Sequence, residues 1–98
     1  MIVLCDFNLV TIGDGTSISK YIVECHKIFQ KHGLKTNIHA FGTNIEGTWD
    51  DISSAIAECH NLIHDLGVKR ILSTIKLSTR NDREQNIQEK IDAVKNHL

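Results

Sequence analysis

Two glycine-rich stretches carry most of the side chains that could hold a small molecule. The first, Ile12-Gly13-Asp14-Gly15-Thr16-Ser17-Ile18-Ser19, combines two glycines with three hydroxyls. The second, Gly42-Thr43-Asn44-Ile45-Glu46-Gly47-Thr48-Trp49-Asp50-Asp51, adds two glycines, two threonines, an amide, three carboxylates and the single Trp of the chain. Each stretch precedes a helical repeat, so each offers free backbone N–H groups at a helix N-terminus. Neither is a phosphate-binding P-loop, because no Gly-Lys-Ser/Thr follows. Helix capping and turn formation account for many of these residues. The functional alternative is one pocket in which Thr16, Ser17, Thr43, Asn44 and Glu46 present hydroxyl, amide and carboxylate groups together.

Other chemistry-bearing residues form weaker patterns. His60 and His64 stand four apart, a spacing that can hold a metal. No Glu adjoins His60 in a His-Glu-x-x-His arrangement and no third ligand is evident, so no metal site is assigned. Cys25-His26 and Cys59-His60 place a thiol beside an imidazole in the sequence. Successive residues on a helix diverge by about 100° and do not face each other, so no thiolate nucleophile and no catalytic residue is assigned. Arg80 follows the last strand directly and could reach a ligand or a neighbouring subunit.

The elements that must position these groups read plainly from the periodicities. Ile2 to Val10 alternates as a strand, with Val3, Cys5, Phe7 and Leu9 forming a wholly apolar face. After a Gly turn, with Thr16 or Ser17 as the cap, Ile18, Tyr21, Ile22, Cys25, Ile28 and Phe29 repeat at helical spacing until Gly33. Leu34 to Phe41 and Thr43 to Glu46 read as two further strands. Thr48 followed by Asp51 is a capping-box-like helix start, and Asp50 and Asp51 suit the positive end of the helix dipole. Ile52, Ala55, Ile56, Cys59, Leu62, Ile63 and Leu66 stripe that helix. A fourth strand spans Lys69 to Thr79, and Ile87, Ile91, Val94 and Leu98 stripe a C-terminal helix.

The order is β-α-β-β-α-β with an added helix, an α+β, ferredoxin-like pattern built as one antiparallel sheet. Glu24-Cys25-His26 in the first helix recurs as Glu58-Cys59-His60 in the second, an internal echo of the kind two halves of such a fold give. The turns opening the two long helices are expected to converge. One sheet face is left without helices and would carry Leu4, Asn8, Val10, Phe41, Leu72 and Thr74. That face is too apolar for water alone, so subunits are expected to associate sheet to sheet.

Ninety-eight residues with 41% hydrophobic and 23% charged content fit a single globular domain over 1–98. A net charge of −1 without a basic run excludes nucleic acid and an anionic membrane surface as partners. The sheet also lacks the aromatic platforms of RNA-recognition modules. The three cysteines contain no Cys-x-x-Cys pair, which points to reduced, buried thiols and a cytoplasmic location. No leader and no apolar run near the ~20 residues of a membrane span are read.

Taken in order, Ile-Gly-x-Gly-Thr-Ser-Ile-Ser from Ile12, Gly-Thr-x-Ile-Glu-Gly-x-Trp-Asp-Asp from Gly42, a helix carrying His60, and Arg-Ile-x-Ser-Thr-Ile-Lys-Leu-Ser-Thr-Arg-Asn-Asp from Arg70 make a specific combination. It resembles the small thiamine-binding protein family over Leu4 to Val94. The resemblance implies a ferredoxin-like domain that associates through its sheets into dimers and then tetramers. It implies binding of thiamine, or of its hydroxymethylpyrimidine portion, with no cofactor and no demonstrated reaction. Gly15, Thr16 and Ser17 carry over from the first motif, and Thr43, Ile45 and Glu46 from the second. The family often has Pro before the Ile-Gly of the first motif, where this chain has Thr11. For such a ligand, hydroxyls of Thr16, Ser17 or Thr43 and an amide of Asn8 or Asn44 match the edge of an aminopyrimidine. Phe41, Ile45 or Trp49 would wall its faces, and Glu46 would compensate the cationic thiazolium. Two other readings stay open: an enzyme acting on a thiamine-related or phosphorylated small molecule, and an assembly domain with no small ligand.

Overall fold

The computed structural model describes residues 1–13, 15 and 18–98. Strand β1 (Val3–Ile12) leads to helix α1 (Ser19–Lys31), strands β2 (Lys35–His39) and β3 (Gly42–Gly47), helix α2 (Trp49–Asp65), strand β4 (Arg70–Ser78) and helix α3 (Ile87–Lys95). The strands form one sheet in the order β2-β3-β1-β4, with antiparallel neighbours throughout. This is the expected ferredoxin-like α+β arrangement with an added C-terminal helix.

Alternation along β1 builds the core. Val3, Cys5, Phe7 and Leu9 are all buried, and Ile45 joins them from β3. From α1 come Tyr21, Cys25, Ile28 and Phe29; from α2 come Ile52, Ala55, Cys59 and Ile63. Each large side chain among them contributes roughly 1.5–3 kcal/mol by leaving water. The Phe7 and Phe29 rings meet edge to face with centroids 5.8 Å apart, which locks α1 over the centre of the sheet. Gly42, at the start of β3, lies against the backbone of β1: a Cβ there would stand 2.5 Å from the Phe7 carbonyl oxygen, so the position admits only glycine without a shift.

The two long helices start differently. Helix α2 is capped as expected, with the Asp51 N–H donating to Thr48 Oγ1 at 3.2 Å. Helix α1 begins at Ser19, after Ile18, whose side chain makes no capping hydrogen bond. Ile18 packs instead against the core cluster, so apolar packing sets the entry of this helix. Thr16 and Ser17, the expected caps, lie outside the described residues.

The antiparallel register overturns one expectation. Val3 pairs with Gly47, and Phe7 with Thr43. The C-terminal ends of β1 and β3 therefore point in opposite directions, and the turns opening α1 and α2 lie at opposite ends of the sheet. Only the beginning of the second glycine-rich stretch, at Gly42 and Thr43, shares an end with the first.

The face away from α1 and α2 is not wholly bare. Helix α3 covers Leu4, which is only 8% exposed, because Ile87 packs there. Asn8 and Val10 stay partly exposed, while Leu72 and Thr74 are open; Phe41, expected on this face, is exposed instead on the α1 side, in the turn between β2 and β3. Of the expected α3 stripe only Ile87 is buried; Val94 and Leu98 remain exposed. A radius of gyration of 14.5 Å, against the ~13 Å usual for a domain of this length, fits a helix lying outside the two-layer body.

Candidate functional site

A cleft of about 140 Å³ opens between α1 and the β2–β3 hairpin. Its walls are apolar: Phe7 and Leu9 from β1, Ile18, Ile22 and Phe29 from α1, Ile38 and Phe41 from the hairpin. Strand alternation sends Thr43 to the same face as Phe7, so its hydroxyl enters an otherwise apolar surface. Thr43 is 5% exposed and shares a hydrogen bond with His26 Nε2 at 3.2 Å. His26 comes from α1, one turn before Phe29, and its ring lies edge-on to Phe29 at 5.5 Å.

The rim is a polar strap. Asn8 donates through Nδ2 to the Phe41 carbonyl at 2.8 Å. The Phe41 N–H donates to His39 Nδ1 at 3.2 Å, and His39 Nε2 meets Asp6 Oδ1 at 2.6 Å. These bonds hold the turn that carries Phe41, whose ring is 83% exposed at the mouth of the cleft.

Burial pushes the His26 pKa below the ordinary imidazole value, so the ring is neutral near pH 7. Among the described residues lining the cleft there is no carboxylate. The arrangement is a neutral one: two paired hydrogen-bonding groups at the base of an aromatic and aliphatic slot. It suits a flat, uncharged heterocycle with donors and acceptors on its edge.

The expected site residues divide among different places. Asn8, Phe41 and Thr43 come together in this cleft. Asn44 and Glu46 alternate to the opposite face of the sheet, where Asn44 lines a second hollow beneath α3. Glu46 Oε1 accepts the Ile87 N–H at 2.8 Å, fastening the start of α3. Ile45 is fully buried in the core. Trp49 stands at the far end, beside Ile52, Ile56, Ile75 and Leu77, and is no wall of the cleft. Gly15 is exposed with φ +91°, a conformation that favours glycine. Thr16 and Ser17 lie outside the described residues. One pocket uniting Thr43, Asn44 and Glu46 is thus ruled out by the period-two alternation of β3.

Sequence reasoning missed His26, Ile18 and Ile22. The signal for His26 was present in the repeated Glu-Cys-His. Each repeat sends its cysteine into the core, where Cys25 and Cys59 are buried, and its histidine to a hydroxyl on the sheet: His26 to Thr43, and His60 Nε2 to Ser73 Oγ at 2.6 Å. The Cys59 thiol is pushed up, first by its hydrogen bond to Cys25 and then by burial, and so stays protonated. His64 turns Nδ1 to the Val68 carbonyl at 2.8 Å, which makes that histidine a fastener of the turn after α2. Among the described residues no group of three or more His, Cys, Asp or Glu side chains is placed to hold a metal. None of the described helices is long and apolar enough to cross a membrane.

Similarity to known proteins accords with this architecture. UPF0045 protein sll0230 of Synechocystis is 42% identical over 98 residues, spanning 100% of this chain and 81% of its own. UPF0045 protein ECM15 of Eremothecium gossypii is 38% identical over 96 residues, spanning 97% of this chain and 91% of its own. The crystal structure of protein MJ1052 of Methanocaldococcus jannaschii superposes with a TM-score of 0.88 at 33% identity, covering 96% of each chain. Residues 5–95 match the family described as thiamine-binding protein, so the chain belongs to that family.

Proposed function

We propose that this protein binds thiamine through its hydroxymethylpyrimidine portion, or binds that pyrimidine alone, in the cleft between α1 and the β2–β3 hairpin, without catalysis. The observation that carries the reading is the Thr43–His26 pair at the base of an apolar slot. A neutral imidazole and a hydroxyl match the edge of an aminopyrimidine, while Phe41 and Ile22 match its faces. The cleft volume is well below the ~300 Å³ at which sites for larger ligands begin, which favours one ring over two. The absence of a carboxylate among the described lining residues favours the neutral pyrimidine over the cationic thiazolium, which would lie outside. Asn8 acts by holding Phe41, and the family resemblance adds Gly15, Thr16 and Ser17 to the ligand-binding residues.

The protein would work as an oligomer, with sheets associating into a dimer and dimers into a tetramer. Exposed Leu72 (56%) on the face away from the long helices supports this, as does the unpaired outer edge of β4. Three free, buried cysteines favour a reducing compartment and a cytoplasmic location. Such a carrier would sequester, deliver or sense the vitamin.

Titration calorimetry with thiamine and with hydroxymethylpyrimidine tests the reading. Saturable heat with the pyrimidine, with affinity weakened several-fold by Thr43→Val and by His26→Ala, supports it. No heat with either compound at millimolar concentration overturns it.

A further inference from the structure

A second hollow, of about 220 Å³, lies on the opposite face of the sheet, roofed by α3. Its floor and roof are Leu4, Ile87 and Ile91, and two lysines, Lys76 from β4 and Lys90 from α3, stand at its border. Nearby carboxylates are already engaged. Asp6, which itself lines the hollow across from Lys76 in the β1–β4 register, shares a hydrogen bond with His39. Glu46 accepts the Ile87 N–H. On α3 itself, Glu89 pairs with Arg83 and Asp92 accepts from Gln88, each at 2.9 Å. Among the described residues, neither Lys76 nor Lys90 has an ion pair or side-chain hydrogen bond. Two ammonium groups with no bonded partner thus border a largely apolar chamber, while the Asp6 carboxylate in its lining and the acids around it each hold a hydrogen bond elsewhere.

We infer that this chamber is a second binding site, for a small amphiphile with an anionic head, a carboxylate or phosphate, on a single ring or short acyl chain. The body of the ligand would replace water against Leu4, Ile87 and Ile91, and its head would sit between Lys76 and Lys90. Occupancy also has a mechanical consequence. Helix α3 buries only Ile87 and is fastened to the sheet by the Glu46 bond, so a ligand bridging Lys90 to Lys76 would clamp it. The site is independent of the vitamin cleft, which lies on the other side of the sheet.

The test uses octanoate and phenyl phosphate as separate probes of the whole protein at low salt. Binding is read by calorimetry and by methyl NMR shifts. The expected result is saturable binding of at least one probe, with shifts at Leu4, Ile87 and Ile91, slower amide exchange in α3, and about tenfold weaker binding in the Lys76→Met/Lys90→Met double variant. Preference between the probes tells a carboxylate head from a phosphate. Charge reversal at Lys90→Glu alone provides a second, surface-only variant with the same expected direction. No saturable binding of either probe, equal binding by the lysine variants, or shifts confined to the α1 cleft overturns the inference. Hydroxymethylpyrimidine should not displace either probe; displacement would likewise overturn it.

Discussion

Replacing Thr43 by valine removes one hydroxyl from the base of the cleft and keeps the shape of the side chain. In the free protein the loss should be small. The Thr43–His26 bond is 3.2 Å long, near the far end of the useful range. Its net worth is about 0.5–1 kcal/mol, because His26 is only half-buried and can turn to water in the cleft. A shift of about 2–8 °C in Tm follows for a domain of this size. With ligand bound, water is excluded, and the ring edge loses its partner in a buried setting. That costs about 1–2 kcal/mol, or roughly 5- to 30-fold in affinity for hydroxymethylpyrimidine. His26→Ala should weaken binding at least as much, since it also removes a ring packed on Phe29. Calorimetry of both variants and the double variant checks the reasoning, with a coupling of at least about 0.5 kcal/mol expected between touching groups. Affinity within twofold of the unaltered protein in both single variants, with circular dichroism unchanged, would refute the assignment of the cleft.

Four further outcomes are expected. Glu46→Ala should cost about 1–3 kcal/mol through loss of the charge-assisted bond to the Ile87 N–H and speed amide exchange in α3, yet leave pyrimidine affinity within twofold; a large loss of affinity would return Glu46 to the vitamin site. Gly42→Ala should destabilise by roughly 1–3 kcal/mol in urea unfolding, because its Cβ meets the Phe7 carbonyl, whereas an unhindered Gly→Ala change stabilises by ~0.4–1 kcal/mol. Phe29→Ala, at a position 1% exposed, should cost about 3–5 kcal/mol and widen the cleft, which thermal unfolding and calorimetry report together. Stability should also fall with acidification: burial lowers the pKa of His26, and burial followed by the charge of His64 lowers that of His60. The unfolded chain then binds more protons than the folded one just below the ordinary imidazole value of 6.5, so stability is full above that value and declines as pH drops from it toward the folded pKa values. Urea midpoints at pH 7.5 and 5.5 check this, and His26→Gln with His60→Gln should flatten the difference; a midpoint that rises on acidification would contradict it.

The sequence by itself determined the elements and the class of fold. Apolar alternation at Val3, Cys5, Phe7 and Leu9, and helical stripes at Tyr21–Phe29 and Ile52–Ile63, are local periodicities that a backbone with period two or 3.6 must express to bury its apolar area. The Thr48 cap on Asp51 was equally local. So was the family pattern, since it consists of ordered short motifs. The site was not local. Thr43, Asn44 and Glu46 are near neighbours in the chain, but a strand sends successive side chains to opposite faces, and the antiparallel run of β1 and β3 puts the two helix-opening turns at opposite ends of the sheet. Only the packing of α1 on the sheet brings His26 to Thr43, and only the return of α3 across the far face gives Glu46 the Ile87 amide in place of a ligand. Which groups share a cavity depends on contacts between residues 17 and 41 positions apart, and no periodicity records those.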